Sequence, residues 1–359
     1  MIAPEPDRAA GRSLRRQSRW LWAVGAVLVV AVVVVVVLVV VTVTSRRQPA
    51  KVALPLRAVG EVALPGDGSR FDYASLDSER GLLFVAHLGA SEVLEVDVHS
   101  HRVLRTIAAL PQVHGVLVVP TLHRVYATAT GSNQLVTLDE DTGTVLSTAP
   151  TGEFPDGLAY DPHRGAVWAT NEQGGTETVI DATTGAVRGT VVLGGEVGNV
   201  AYDPTQDRML VAVQGRNDLA VIDPATLAIT HRVPLPGCAH DHGLAVDPAG
   251  RLAFIACDAN ATLLTLDLST GQITGTTTVG DQPDVLAYDP SAHRLYVAAE
   301  SGWVSVLDLR NHQLSVAGSD HLADDAHVVA VDPGTHHSYY PVPAGPNGHP
   351  ALLEFAPAG

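Results

Sequence analysis

Aspartate and histidine residues recur along this chain at a nearly constant interval. Positions 42 to 44 residues apart hold three of each type and one glycine: Asp72, His114, Asp156, Gly198, His242, Asp284 and His327. Two more histidines, His87 and His240, are predicted to lie beside this series. Imidazole and carboxylate groups suit Zn, Cu, Fe or Mn. The eight aspartates and histidines are therefore candidate metal ligands, at a site for a metal, a small ligand or catalysis.

The same side chains have a structural interpretation. Aspartate and histidine at the start of a strand can accept hydrogen bonds from loop N–H groups. Asp156 and Asp284 each follow a proline, as residues of a turn would. Whether the chain is an enzyme therefore stays open at this point. The G-x-S-x-G, P-loop and H-E-x-x-H motifs are absent from the sequence.

The two cysteines, Cys238 and Cys257, lie on either side of His240 and His242. In an oxidising compartment they would form a disulfide that holds the histidine-bearing loop. Two free thiols, or Cys257 as a soft metal ligand, are the alternatives.

The elements that must position these residues form a sevenfold repeat. Five segments read alike and end in aspartate and proline: Leu158–Pro162, Val200–Pro204, Leu244–Pro248, Leu286–Pro290 and Val329–Pro333. Two earlier units fit once the aspartate is allowed to vary, which places equivalent positions at 77, 119, 161, 203, 247, 289 and 332. Seven units of short strands broken by glycine, proline and aspartate predict an all-β, seven-bladed propeller with four-stranded blades over residues 58–357.

One unit shows the plan of a blade. Asp156–Asp161 is predicted as the innermost strand, followed by 166–170, 176–181 and the outer strand 187–193. The last unit lacks an outer strand, and the N-terminal stretch Ala58–Leu64 lacks a blade of its own. This N-terminal strand is therefore predicted to close the last blade. The aspartates and histidines would then begin the innermost strands, on one face around the central channel.

The second strands of the units carry a family resemblance. Leu83–His87, Val125–Ala129 and Leu295–Ala299, each followed by a strand of the type Val-x-Val/Leu-Asp, resemble the YVTN repeat. Residues 58–357 are similar to the YncE-like family of bacterial seven-bladed propellers. The resemblance implies the fold, and no catalytic motif accompanies the repeat. Some relatives are described as DNA-binding.

The N-terminal region predicts a membrane anchor. Residues 20–45 contain no charged side chain and are mostly valine, which is long enough for a transmembrane helix. The tail before it, residues 1–19, is the more basic flank and should stay in the cytoplasm. Residues 46–57 are predicted as a linker. The chain is thus expected to be a single-pass protein of the cell membrane with an extracytoplasmic propeller, and a cleaved signal peptide is the alternative.

Charge excludes one class of partner. After residue 51 the chain has 14 basic and 36 acidic side chains, a net charge of −22. Such a domain repels phosphate backbones, so no nucleic-acid partner is expected. Lys51 is the only lysine, which excludes Schiff-base chemistry from the propeller.

Three functions remain after these exclusions. The first is a binding module for a small ligand, a metal or a protein partner at the channel face. The alternative is a metal-dependent extracytoplasmic enzyme, a hydrolase, lyase or oxidoreductase, that uses the same aspartates and histidines. The third is a purely structural surface protein, in which these aspartates and histidines would tolerate substitution.

Overall fold

Short antiparallel strands make up most of the chain from residue 48 to residue 358, the part that this computed structural model describes. Runs rich in valine, leucine, alanine and tyrosine form these strands, because a pleated strand buries alternate side chains on its two faces. The strands form seven four-stranded antiparallel sheets, one per blade. The predicted all-β, seven-bladed propeller is therefore confirmed.

The first strand, β1 (Leu56–Ala63), belongs to the last blade, and the other six blades each use four consecutive strands, innermost first. Blades one to three consist of β2 (Ala74–Asp77), β3 (Leu82–His87), β4 (Glu92–Asp97) and β5 (Arg102–Ile107); β6 (Val113–Val119), β7 (Arg124–Ala129), β8 (Gln134–Asp139) and β9 (Val145–Pro150); and β10 (Pro155–Asp161), β11 (Ala166–Asn171), β12 (Thr176–Asp181) and β13 (Val187–Val192).

The remaining blades follow the same order. Blades four to six consist of β14 (Val200–Asp203), β15 (Arg208–Val213), β16 (Asp218–Asp223) and β17 (Ala228–Pro234); β18 (Asp241–Asp247), β19 (Leu252–Cys257), β20 (Thr262–Asp267) and β21 (Gln272–Thr278); and β22 (Pro283–Asp289), β23 (Arg294–Ala299), β24 (Trp303–Arg310) and β25 (Gln313–His321). Blade seven consists of β26 (Ala330–Val331), β27 (Ser338–Val342), β28 (Ala351–Pro357) and β1.

The ring closes through its N-terminal strand, as the sequence predicts. β1 pairs antiparallel with β28, from Leu56 opposite Pro357 to Ala63 opposite Ala351. This pairing gives blade seven its outermost strand and removes a free sheet edge from β28.

The repeated aspartate after each innermost strand is explained by turn capping. Asp161 Oδ1 accepts hydrogen bonds from the backbone N–H groups of His163 and Arg164, at 3.0 and 3.2 Å. Asp77 and Asp289 accept the same pair of bonds in their own blades. An aspartate at this place holds the turn to the second strand, which is the ordinary chemistry of this residue in turns.

The hydrophobic core lies between neighbouring blades. One buried cluster joins Phe84 of blade one to Val116 and Val125 of blade two. Another joins blade seven to blade one through Leu352 and Leu83. Because the blades pack face to face, the innermost strands are held at fixed distances around the channel.

Three short 3-10 helices complete the described regular structure, at Pro120–Leu122, Thr130–Ser132 and Asp258–Asn260. None of the helices in residues 48–358 has the length and apolar character needed to cross a membrane. The predicted tail and transmembrane helix, residues 1–45, lie outside the described residues. Part of the predicted linker is described, and its Val52 exchanges two 2.8 Å backbone hydrogen bonds with Ser319 of blade six.

Candidate functional site

The predicted ring of aspartates and histidines converges at one mouth of the channel. We call the repeat position that begins the innermost strands the first ring: Asp72, His114, Asp156, Gly198, His242, Asp284 and His327. A cavity of about 410 Å3, here called the mouth cavity, is lined by five of them, Asp72, His114, Asp156, His242 and Asp284. His327 is fully buried beside it, with Nε2 3.5 Å from Asp72 Oδ1.

A β-bulge at the start of the innermost strand positions these side chains. In four blades the pairing of the two inner strands shifts register across the first-ring residue, between Val113 and Val116, Pro155 and Leu158, Asp241 and Leu244, and Pro283 and Leu286. A bulge breaks the alternation of faces and redirects a side chain. Here the bulges accompany side chains that line the mouth cavity.

Arg70 is the only arginine or lysine among the described residues that line the mouth cavity. Its Nη2 lies 2.7 Å from Glu300 Oε1, 3.5 Å from Asp72 Oδ1 and 3.7 Å from Asp284 Oδ2. Burial alone would lower the pKa of Arg70, but the bond to Glu300 and the charges of the two aspartates raise it. Arg70 therefore stays charged and neutralises the carboxylates of blades six and one.

His242 is held between two acceptors. Its Nδ1 donates to Gln214 Oε1 at 3.0 Å, and its Nε2 lies 3.0 Å from Asp284 Oδ1. Burial lowers the pKa of His242, but Asp284 and the more distant Asp156 and Glu172 raise it to about 10. The imidazole is therefore a cation at neutral pH.

Asp284 shows the other side of this pairing. Burial raises the pKa of Asp284, but the ion pair with His242 and the charges of His327 and Arg70 lower it to about 2. The group is therefore a carboxylate that already has three positive neighbours.

Tyr73 forms the floor of the mouth cavity. Its hydroxyl crosses the channel and donates to Asn199 Oδ1 at 2.8 Å, and His242 Nε2 lies 3.4 Å from the Tyr73 hydroxyl oxygen. The ring also borders a second cavity of about 320 Å3 deeper in the channel. Glycine takes the place of Tyr73 in blades two, three and five, and at Gly115 a Cβ would collide with the carbonyl oxygen of Asp156. Tyr73 thus separates the mouth cavity from the channel.

Two carboxyl groups of blade three, Asp156 and Glu172, have neutral groups as their hydrogen-bond partners. Asp156 is 3% exposed, and its Oδ2 lies 3.5 Å from the Tyr73 hydroxyl. Glu172 accepts a 3.2 Å hydrogen bond from Gln214 Nε2. Burial, and then the charge of Asp72, raise the pKa of Asp156 well above its ordinary value. Burial also raises the pKa of Glu172, against the opposing charge of His242.

His87 does not join the other predicted ligands. It is fully buried, stacks on Phe71 with ring centroids 4.3 Å apart, and contacts Ser69 Oγ and Glu92 Oε1. The reason is strand alternation, since the last residue of the second strand points between the blades. The residue after it faces the cavity instead, as Leu88, Glu172, Gln214, Asp258 and Glu300 do.

His240 lies at the edge of the site, on the loop that the cysteines hold. Its Nδ1 lies 2.8 Å from Asp258 Oδ1 and its Nε2 lies 3.3 Å from Glu196 Oε2. Cys238 and Cys257 form a disulfide with their Cα atoms 5.3 Å apart. The pairing that the sequence favoured is therefore present, and Cys257 is not free to bind a metal.

A second set of repeat positions, here called the second ring, lies next to the first ring, and the sequence analysis identified only its His240. It lies two residues before the first ring and consists of Arg70, Gln112, Phe154, Glu196, His240, Gln282 and Asp325. Five of these residues have a left-handed backbone, with φ between 48° and 62°. Four of the seven, Arg70, Gln112, Phe154 and Gln282, line the mouth cavity. The signal was available, because the second ring keeps the same spacing as the first.

One group within residues 48–358 has the geometry of a metal site. The ligand atoms of Asp72, Asp284 and His327 lie within 4.8 Å of one another, and all three side chains are buried. The other predicted ligands, His87, His114, His240, His242 and Asp156, do not contribute to that group. The group could hold a metal ion, but Arg70 already supplies positive charge to its two carboxylates. Burial lowers the pKa of His327, but Asp325 and Asp72 raise it to about 10, so this imidazole supplies positive charge as well.

Comparisons with known proteins support the fold alone. No protein-family model matches the sequence, and no curated protein is similar to it. Hydrazine synthase from Kuenenia stuttgartiensis superposes with a TM-score of 0.67 at 14% identity, over 78% of this chain and 94% of that one. A chain of a mitotic checkpoint complex superposes with a TM-score of 0.70 at 14% identity, over 86% of this chain and 94% of that one.

Proposed function

We propose that the propeller is a binding module whose mouth cavity takes a small polar ligand. One observation carries this proposal. Asp72 Oδ2 is buried and has no hydrogen-bond partner among residues 48–358, although the side chain lines the cavity. An unpartnered buried acceptor costs about 1–3 kcal/mol, and such groups in native proteins call for an explanation. A ligand that donates a hydrogen bond to Asp72 provides one.

The fold supports this role because it holds the cavity rigidly. The lining comes from six blades, and residues as far apart in sequence as Arg70 and Glu300 are bonded to each other in it. Sites held by packed strands keep their geometry better than sites on mobile loops.

A ligand screen tests the proposal. The full-length chain in detergent is screened against a library of polar metabolites by thermal shift, and hits are measured by titration calorimetry. Asp72→Asn should weaken the binding of a hit at least about tenfold, because a charge-assisted bond is lost. Glu79→Gln, an exposed change of equal charge on the same blade, should leave it unaltered. Hits that bind both variants equally well would place the site elsewhere.

A divalent transition metal is the second candidate, favoured by the grouping of Asp72, Asp284 and His327. A metal at this place must displace the Arg70 guanidinium and the proton of His327. Removal of the competing cation by Arg70→Met should therefore raise the affinity for Zn or Mn at least about tenfold. Elemental analysis of the untagged protein and competition with a chelator measure this. Unchanged or weaker uptake by the variant would exclude the metal site, and with it the metal-dependent enzyme.

The proposed setting is an extracytoplasmic membrane surface, with residues 20–45 as the anchor. The Cys238–Cys257 disulfide supports an oxidising compartment. The net charge of the propeller supports partners other than nucleic acid. We also propose membership of the YncE-like family on the strength of the YVTN-like strands. Protease protection and alkaline extraction of membranes test the location, and release of the protein by alkali would contradict the anchor.

A further inference from the structure

Positive charge is distributed unevenly around the mouth cavity. On the side of blades six, seven and one, Arg70 binds Glu300 and lies within 4 Å of Asp72 and Asp284. On the side of blade three, the cavity is lined by Asp156 and Glu172. No basic side chain of residues 48–358 lies within ion-pair distance of either, and their hydrogen bonds come from neutral groups. The carboxyl groups of blade three therefore lack the close cation that Arg70 provides on the opposite side, and the charge of His242 acts on them only from a greater distance.

Asp72 also has an oxygen, Oδ2, without a hydrogen-bond partner among residues 48–358. Arg70 and His327 both approach Oδ1 of this carboxylate, at 3.5 Å each, and neither bonds Oδ2. His114 Nε2 lies 3.9 Å from Oδ2, too far for a hydrogen bond. The charge of Asp72 adds to burial in raising the pKa of Asp156, so the two carboxyl groups disfavour each other's ionisation. A cation between them would offset this effect and pair the free oxygen of Asp72.

An aromatic ring stands next to these carboxyl groups. Phe154 lines the mouth cavity two residues before Asp156, with its ring edge-on to His114 at a centroid distance of 5.0 Å. The backbone of Phe154 has φ 58°, an unfavourable conformation for a bulky residue. Leu88 and Pro283 add apolar surface to the lining. Aromatic faces attract cations, and apolar walls suit the carbon part of a ligand.

From this arrangement we infer that the ligand of the mouth cavity is a small organic ammonium ion. Its nitrogen would bind between Asp72 and Asp156, near Glu172, and its carbon part would pack on Phe154. This inference rests on the proposed binding function and adds the chemical class of the ligand.

Three probes of one shape and different charge test the class. Benzylamine, benzyl alcohol and benzoate are titrated calorimetrically into the full-length protein at pH 7. Benzylamine should bind at least about tenfold more tightly than either of the others, because only the ammonium group can pair with the carboxylates. Asp156→Asn, which keeps the side-chain shape, should weaken benzylamine binding at least about tenfold. Phe154→Leu should weaken it about threefold through loss of the ring face.

The matched control is Glu153→Gln. It removes one negative charge from the same loop, but Glu153 is exposed and does not line the cavity. Equal losses in Glu153→Gln and Asp156→Asn would mean that only the general field of the protein attracts the amine, and would overturn the inference. Preference for benzyl alcohol or benzoate would also overturn it, while leaving a small-molecule site in place. If none of the three probes binds, the amine class is wrong, and the metabolite screen then decides whether the cavity binds anything.

Discussion

Two aspartates of the same ring are placed in opposite electrostatic surroundings. Asp284 has His242, His327 and Arg70 around it, and these cations lower its pKa to about 2 despite burial. Asp156 has none of them within ion-pair distance, and burial raises its pKa. Equal repeat positions therefore do not have equal chemistry, because the second ring supplies an arginine on one side and a phenylalanine on the other. The binding proposal depends on this difference between neighbouring residues.

Glu177 is another buried carboxyl group, and the effect of its ionisation on the stability of the fold can be tested separately. It is fully buried in β12, neither of its oxygens has a hydrogen-bond partner among residues 48–358, and burial raises its pKa well above 4.5. The protonated folded form is therefore favoured. Its contribution to the free energy of unfolding is fully present below pH 4.5 and is lost as the pH rises towards the folded pKa.

Glu177→Gln keeps the shape of the side chain and cannot ionise. The variant should unfold at about the same temperature as the wild type at pH 4, and about 5 °C higher at pH 8, a gain of about 2 kcal/mol. Circular dichroism melts across this range measure the difference. Glu79→Gln, an exposed change of equal charge, should show no such pH dependence. A constant offset at all pH values would show that ionisation of Glu177 is not responsible.

For the strands, the sequence predicted the residue boundaries better than the directions in which the side chains point. The boundaries of β12 were predicted at both ends, and β10 and β11 were predicted to within one residue, because aspartate and glycine mark the turns on either side. The direction of His87 could not be predicted. His87 is the last residue of β3, and its side chain points away from the cavity that the next residue, Leu88, lines. The sequence pattern alone does not show which of two consecutive residues faces the channel. The second ring could have been found, since Arg70 and Phe154 keep the repeat spacing.

The Cys238–Cys257 disulfide links the loop before β18 to the end of β19, and the loop carries His240. The sequence separation of 19 residues corresponds to a stabilisation of about 3 kcal/mol in the chain-entropy model. Cys238→Ala combined with Cys257→Ala should lower the free energy of unfolding by about that amount in urea titrations. The wild type in a phosphine reductant should behave like the double variant. Equal stability of oxidised and reduced wild type would contradict the estimate.

The whole molecule brings together residues that the sequence keeps far apart. Arg70 and Glu300 are 230 residues apart and bond to each other in the lining of the mouth cavity, where blade seven, which contains both chain ends, lies between their blades. The repeat spacing was sufficient to predict the seven blades and the face on which Asp72 and Asp284 meet. It was not sufficient to predict that Arg70 occupies the space between their carboxylates, because that contact depends on the closed ring rather than on any single repeat.

Loss of β1, which closes the ring, should therefore destabilise the propeller more than loss of an outermost strand in another blade. Replacement of Leu56–Ala63 by an eight-residue glycine-serine sequence leaves β28 as a free edge and separates the first blade from the last. The matched control replaces β9 in the same way, which shortens blade two to three strands but leaves the ring closed. We expect the β1 replacement to lower the melting temperature about 10 °C further than the β9 replacement, with loss of cooperativity and a tendency to aggregate. Equal melting temperatures would mean that each blade is stable by itself, and that the mouth cavity does not depend on a closed ring.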